Sequence, residues 1–168
     1  MDNRSRRSGE RGSGMADATI DRINPTDLDT ITHLYNSIFR PERSQDWIER
    51  HLQSRRNVLV QVARIGNDAV GFYIGMELRP TTHQGWIVGV VPEMRRAGIG
   101  TQLLVAAADW AKTEGYRSIR FEVPNTVRSV LQFSIAEGYD ITGVRYDHDL
   151  ATNLVIFERV LGENGYEG

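Results

Sequence analysis

Residues 90–100 read Val-Val-Pro-Glu-Met-Arg-Arg-Ala-Gly-Ile-Gly and are followed by Thr101. Arg95, Arg96, Ala97, Gly98, Ile99, Gly100 and Thr101 place two guanidinium groups and two glycines where an apolar run gives way to an Ala-rich helical pattern. Glycine lets a main chain come close to a ligand, consecutive N–H groups at a helix start attract anions, and arginine adds charge-assisted bonds. The chemistry implied is capture of a phosphate-bearing cofactor. A Walker loop needs Gly-Lys-Ser/Thr, and Gly98-Ile99-Gly100-Thr101 has no lysine. A dinucleotide fingerprint needs a third glycine where Leu103 stands, so both nucleotide readings fail on residues their chemistry requires.

The elements that must position this loop follow from hydrophobic periodicity and turn residues. A strand is expected at 18–23, and Asn24-Pro25-Thr26-Asp27 reads as a turn and helix cap. Helices follow at about 27–39 and 44–53. Strand-like runs at 58–65, 69–78 and 86–91 are separated by Gly66-Asn67-Asp68 and by a polar segment at 79–85, which makes an antiparallel meander. The third run feeds the glycine loop and a helix at about 98–114 with Ile99, Leu103, Ala107, Trp110 and Ala111 on one face. A strand at 118–123, a helix at about 126–137 closed by Gly138, and runs at 139–146 and 153–161 complete the chain. The order β-α-α-β-β-β-α-β-α-β-β holds one strand–loop–helix–strand unit, normally a right-handed parallel crossover in a mixed sheet.

The chain has 168 residues, enough for one domain, and its 40% hydrophobic content suits a globular protein. We expect a disordered Arg/Gly/Ser-rich arm at 1–16, a single domain at 17–162 and a tail at 163–168. Zero cysteines exclude disulfides, Cys-ligated zinc and a protein thiol as nucleophile. No apolar stretch nears the roughly 18 residues that span a bilayer, and no secretory signal is visible, so no membrane partner and a cytoplasmic location are expected. The net charge of -2 splits into +2 on residues 1–16 and -4 on the rest. An acidic body argues against a nucleic-acid partner and suits an amine-bearing substrate; DNA binding through the basic arm ranks last.

The lead-in Val90-Val91-Pro92, the loop Arg95-Arg96-Ala97-Gly98-Ile99-Gly100, the amphipathic helix, the strand ending Phe121-Glu122-Val123 and the helix ending Gly138-Tyr139 occur in order. Together they resemble the GNAT superfamily of acetyl-CoA-dependent N-acetyltransferases over roughly residues 18–161. The resemblance implies an α/β (α+β) fold with a mixed, mostly antiparallel sheet of about seven strands and about four helices. It also implies acetyl-CoA as donor and a small-molecule or peptide amine as acceptor; no metal site is expected, and a homodimer is kept as one candidate assembly. In this family the loop wraps the CoA pyrophosphate. The strand before it splays, so Val88, Gly89 and Val90 are expected to line the thioester, one amide polarising its carbonyl. Gly89, within a β-branched run, is the expected site of a bulge or a close approach.

Acetyl transfer to an amine needs a general base, because a primary amine is mostly protonated at neutral pH. Glu122 matches the glutamate that some family members use through water, with Glu77 and His83 as rivals. His83 reads as a loop histidine. For the proton of the departing thiolate the family places a tyrosine four residues before the last helix's terminal glycine; here that slot is Ser134, a far weaker acid. Tyr139, Tyr146, Tyr73 or water remain as donors. The asparagine that touches the cofactor is displaced to Asn125, which is otherwise a helix cap. His148, between Asp147 and Asp149, reads as a polar hairpin. Asp46, Glu49, Asp147 and Asp149 are the acidic residues that can attract a cationic acceptor. A catalytically weak acyl-CoA-binding module is the alternative function.

Overall fold

A computed structural model describes residues 17–162; the arm expected at 1–16 and the tail at 163–168 lie outside the described residues. The chain opens with β1 (Thr19–Ile23). Helix α1 (Leu28–Ile38) begins where the Asp27 carboxylate accepts from the Thr30 amide, and α2 (Gln45–Leu52) where the Ser44 hydroxyl accepts from the Trp47 amide. These side chains satisfy helix-start donors that have no intrahelical acceptor. Strands β2 (Leu59–Ile65), β3 (Asp68–Arg79) and β4 (Thr82–Val90) form the meander. A 3₁₀ turn at Pro92–Met94 leads to α3 (Ile99–Thr113) and β5 (Ser118–Pro124). Then follow α4 (Arg128–Ala136), β6 (Asp140–Asp147) and β7 (Thr152–Val160).

The seven strands form one sheet in the order β1-β2-β3-β4-β5-β7-β6, with β4 and β5 the parallel neighbours and every other pair antiparallel. The element order and the mixed sheet with four α-helices agree with the expectation from the sequence. One face is covered by α1 and α2 over Val60, Val62, Phe72 and Ile74. The other is covered by α3, whose Leu103, Ala107 and Ala111 lie on Leu59, Tyr73, Ile119 and Phe157, with Val130, Leu131 and Phe133 of α4 alongside. Truncating a fully buried residue such as Leu103 to alanine costs about 2–5 kcal/mol, so α3 holds the loop at its start firmly. Among the described residues no helix is long and apolar enough to cross a membrane.

One boundary differs from the sequence reading. The polar segment at 79–85 is mostly strand: β3 turns at Pro80 and Thr81, and β4 starts at Thr82. Thr82 and His83 are buried, which hydrophobicity does not announce, because their polar atoms find partners inside the sheet. Thr82 Oγ1 lies 2.9 Å from Ser118 Oγ, and His83 Nε2 donates to the Asn57 carbonyl at 3.0 Å.

Candidate active site

The glycine loop is built around two left-handed residues. Arg96 has φ +67° and Gly98, the cap of α3, has φ +79°. A non-glycine residue there costs roughly 1–2 kcal/mol, a strain kept at sites where main-chain direction matters. Gly98 has no side chain with which to cap α3, so the amides of Ile99, Gly100 and Thr101 open the helix without a side-chain acceptor. The helix dipole adds to their pull on an anion. A Cβ placed on Gly100 meets only Val90 Cγ2 at 3.9 Å, so protein packing leaves that space open. Arg95 turns back, its Nε donating to the Val90 carbonyl at 3.2 Å, while Arg96 is exposed beside the helix start.

Beside this loop the two parallel strands part. Pairing of β4 with β5 runs from Thr82↔Ser118 to Gln84↔Arg120 and stops. In β4 the register skips Trp86, since Gly85 faces Gly75 and Ile87 faces Ile74. The bulge therefore lies at Trp86, not at Gly89, and increases the local twist just where the strands diverge. The Val91 amide donates to the Val70 carbonyl at 2.9 Å. Main-chain groups alternate between the edges of an antiparallel strand, so the amides of Val88 and Val90 point into the gap on the β5 side. Gly89 has its own reason: a Cβ there would lie 2.8 Å from the Phe39 ring, so glycine admits the end of α1 against β4.

Glu122 faces this gap from β5, on the side covered by α1 and α2. The side-chain contact of Arg120 with Gln84 Oε1 places Arg120, and with it Glu122 two residues on, on that face. Its carboxylate is gripped by Arg145 of β6: Nε lies 3.0 Å from Oε1 and 2.9 Å from Oε2, and Nη2 lies 2.7 Å from Oε2. Arg120 Nη2 adds a contact to Oε1 at 3.1 Å. Burial pushes the Glu122 carboxyl upward, but the bonds and charge of Arg145, then those of Arg120, outweigh it and hold the group below its ordinary value. Arg145 also meets Asp147 Oδ2 at 3.5 Å. In this ion pair the carboxylate is a weak base with its lone pairs engaged.

The other residues singled out in the sequence fall elsewhere. Ser134 is fully buried and its hydroxyl donates to the Val130 carbonyl at 2.7 Å. Tyr139 is buried between Phe121, with ring centroids 4.7 Å apart, and the Arg159 guanidinium; burial raises its phenol despite that cation. Asn125 is not a helix cap, as α4 is capped by Val127 without a side-chain bond; its amide donates to the Asn153 carbonyl at 2.8 Å. His83 is not a loop histidine but a buried strand residue paired opposite Glu77, at the closed end of β4. Glu77 there accepts from Tyr116 at 3.0 Å. His148 packs edge-on against Tyr146, and among the described residues no cluster of metal ligands forms. Two of the expected cation-attracting acids are already paired, Asp46 with Arg50 at 2.7 Å and Asp147 with Arg145.

The structure adds residues that sequence reasoning missed. Arg145 lies 23 positions from Glu122, and only the β5-β7-β6 register brings them together. On the β4 side, Trp86 stacks on His51 of α2 at 4.8 Å and 8° and lies 5.8 Å from Trp47, forming an aromatic wall next to the bulge. No local signal announces either group, because both depend on strand registers.

Comparison with known proteins agrees with this geometry. The model of the acetyltransferase (GNAT) family matches residues 28–133. The chain is 26% identical over 141 residues to YvbK of Bacillus subtilis (strain 168), described as an uncharacterized N-acetyltransferase, covering 83% of this chain and 85% of that one. Its fold is similar to the ribosomal-protein-S18-alanine N-acetyltransferase of Escherichia coli, with TM-score 0.75, 17% identity, and 90% and 99% of the two chains covered. It is also similar to a GNAT acetyltransferase of Elizabethkingia anophelis with acetyl-CoA bound, with TM-score 0.68, 20% identity, and 85% and 97% covered. Matched over most of its length by the family model, with the splayed strands and the open helix start in place, the chain belongs to the GNAT family of acetyltransferases.

Proposed function

We infer that the chain moves an acetyl group from acetyl-CoA to a primary amine of a small molecule or peptide by direct attack in a ternary complex. The observation that carries this reading is the gap between β4 and β5, which opens beside the uncapped start of α3. The residues present fit the donor. The amides of Ile99, Gly100 and Thr101 and the Arg96 guanidinium are suited to its diphosphate, and the edge amides of Val88 and Val90 to its pantetheine arm. Bound there, acetyl-CoA supplies an activated thioester.

The chain's own residues then have three tasks. An edge amide of β4 polarises the thioester carbonyl, which raises the electrophilicity of its carbon. Glu122, once freed from Arg145, takes the ammonium proton of the acceptor directly or through one water. The amine lone pair forms the new C–N bond as the C–S bond breaks, the nitrogen's second proton passes to solvent, and the thiolate leaves. A thiol of pKa near 8.5 departs without an acid in contact, and the proton it gains comes from solvent. The buried Ser134 and Tyr139 are poorly placed to supply it.

Gly100→Val tests the cofactor half of this reading. Valine is a better helix residue than glycine, and the open space around Gly100 makes its effect on the apo protein small. The apo Tm is expected to stay within about 3 °C of wild type, while thermal protection by CoA disappears. Undiminished protection would show that the diphosphate binds elsewhere.

A further inference from the structure

We propose that the acceptor is a free amino acid with an apolar or aromatic side chain, and that Arg145 binds its carboxylate, giving up Glu122 as it does so. This deepens the acetyltransferase reading and rests on it. The two groups that decide it lie on one face of the sheet, at the mouth of the gap. Arg145 is half exposed, with 49% of its side chain open, whereas the Glu122 side chain is 15% exposed. An acceptor entering from solvent meets the guanidinium first.

Charge at this mouth selects against a purely cationic acceptor. Arg120 and Arg145 flank one carboxylate, and Asp147, two residues past Arg145, gives Oδ1 to the turn amides of Asp149 and Leu150, each at 2.9 Å, and Oδ2 to Arg145 at 3.5 Å. A simple alkylamine cation faces two guanidinium groups, and the carboxylates of Glu122 and Asp147 are both already paired with them. An amino acid brings its own. Its carboxylate offers Arg145 the same bidentate geometry that Glu122 now supplies. Because the incoming carboxylate restores the two-toothed contact that Arg145 now makes with Glu122, the exchange swaps one charge-assisted pair for another. Glu122 keeps its single contact to Arg120 and becomes available to the ammonium group, which sits one carbon from the carboxylate that displaced it. The base is thereby released by the part of the substrate that identifies it.

The side group faces the opposite wall. Trp86 at the bulge and Trp47 behind it, both half-buried, form with the exposed His51 stacked on Trp86 an aromatic surface on the same face as Glu122. Such a surface gives its area to an apolar or aromatic side chain, and the Trp47 face is already covered by the Arg43 guanidinium at 4.7 Å. A peptide N-terminus lacks the carboxylate beside its amine, and an aminoglycoside or polyamine lacks it altogether.

The test compares phenylalanine with phenylalaninamide and phenethylamine, which keep the amine and ring and lose the carboxylate. Thiol release by the full chain is expected to give phenylalanine a kcat/KM at least 30-fold above either analogue. In Arg145→Gln that ratio is expected to fall to about 3 or less, and Arg145→Lys to restore part of it. A second measurement needs no turnover: with CoA present, N-acetylphenylalanine should raise the Tm of wild type, N-acetylphenethylamine should not, and Arg145→Gln should abolish the difference. Equal use of the three amines, a ratio unchanged in Arg145→Gln, or equal stabilisation by the two acetylated products would each overturn the proposal. Stabilisation by N-acetylphenylalanine through Arg145 with no thiol released from any amine would leave the carboxylate site standing and sink acetyl transfer instead.

Discussion

Strands β4 and β5 are one parallel pair with two different ends. At the closed end, Thr82, His83 and Gln84 pair with Ser118, Ile119 and Arg120, and the residue types most suggestive of catalysis gather there. His83, Glu77 and Tyr116, with Asn57, form a hydrogen-bonded group whose atoms face one another. At the open end the strands part, and the groups facing the gap are two valine amides and a carboxylate held by arginines. The difference teaches that reactive side chains and a reactive site are separate matters. Where the backbone is fully paired, a histidine and a glutamate serve the sheet; where pairing stops, the backbone itself becomes the binding surface.

The largest expected effect comes from the open end. Glu122→Gln keeps the size of the side chain and one acceptor oxygen for the two arginines, and removes the charge and the base. A general base contributes about 10²–10⁴-fold, so kcat with the preferred acceptor should fall at least 100-fold, while protection by CoA stays as in wild type. Steady-state thiol release and a thermal melt read the two effects separately. Full activity in this variant would move the base elsewhere and erase the contrast between the two ends.

The closed end should answer in stability rather than rate. His83 is held neutral: burial pushes its imidazole down, ahead of the Asn57 carbonyl and the Glu77 charge that pull it up. A histidine with a lowered folded pKa binds fewer protons than the unfolded chain below pH 6.5. Stability is therefore complete above that pH and declines as pH falls from 6.5 towards the folded value, by at most about 1.4 kcal/mol per pH unit. His83→Leu should cost about 1–3 kcal/mol by leaving the Asn57 carbonyl unpaired, and should flatten the Tm-against-pH curve below pH 6.5. Its kcat/KM, measured well below its Tm, should stay within about threefold of wild type, since Trp110 and Tyr116 wall the ring off from the gap. A hundredfold loss of rate there would make the closed end part of the catalytic site.

The sequence showed the open end's loop and missed the closed end's nature for one physical reason. Two arginines, two glycines and a helical pattern are local signals, and the loop from Arg95 to Thr101 uses them within seven consecutive residues. The element order was legible in the same way, from periodicity. Burial of Thr82 and His83 depends on partners 36 and 26 positions away, so a polar run read as a loop. The grip of Arg145 on Glu122 depends on two strand registers, and the bulge at Trp86 on a third. Asn125 looked like a cap because it precedes a helix, but its amide is taken by β7 and the helix starts without one.

The smallest effect concerns Ser134, which stands where the family's tyrosine was expected and lies outside both ends of the pair. Its hydroxyl is fully buried and already donates to Val130, the carbonyl one turn back in its own helix. Such a bond competes weakly with the helix ladder and adds little. Ser134→Ala removes a donor whose acceptor retains its helical partner, and alanine is the better helix residue. Stability should change by less than about 1 kcal/mol, read as a Tm shift within about 3 °C, and kcat should stay within about twofold. If kcat instead dropped tenfold or more, with the largest loss where the thiolate most needs a proton, Ser134 would be the proton donor after all. The helix would then have to turn its hydroxyl out of a bond it holds at 2.7 Å and into the gap.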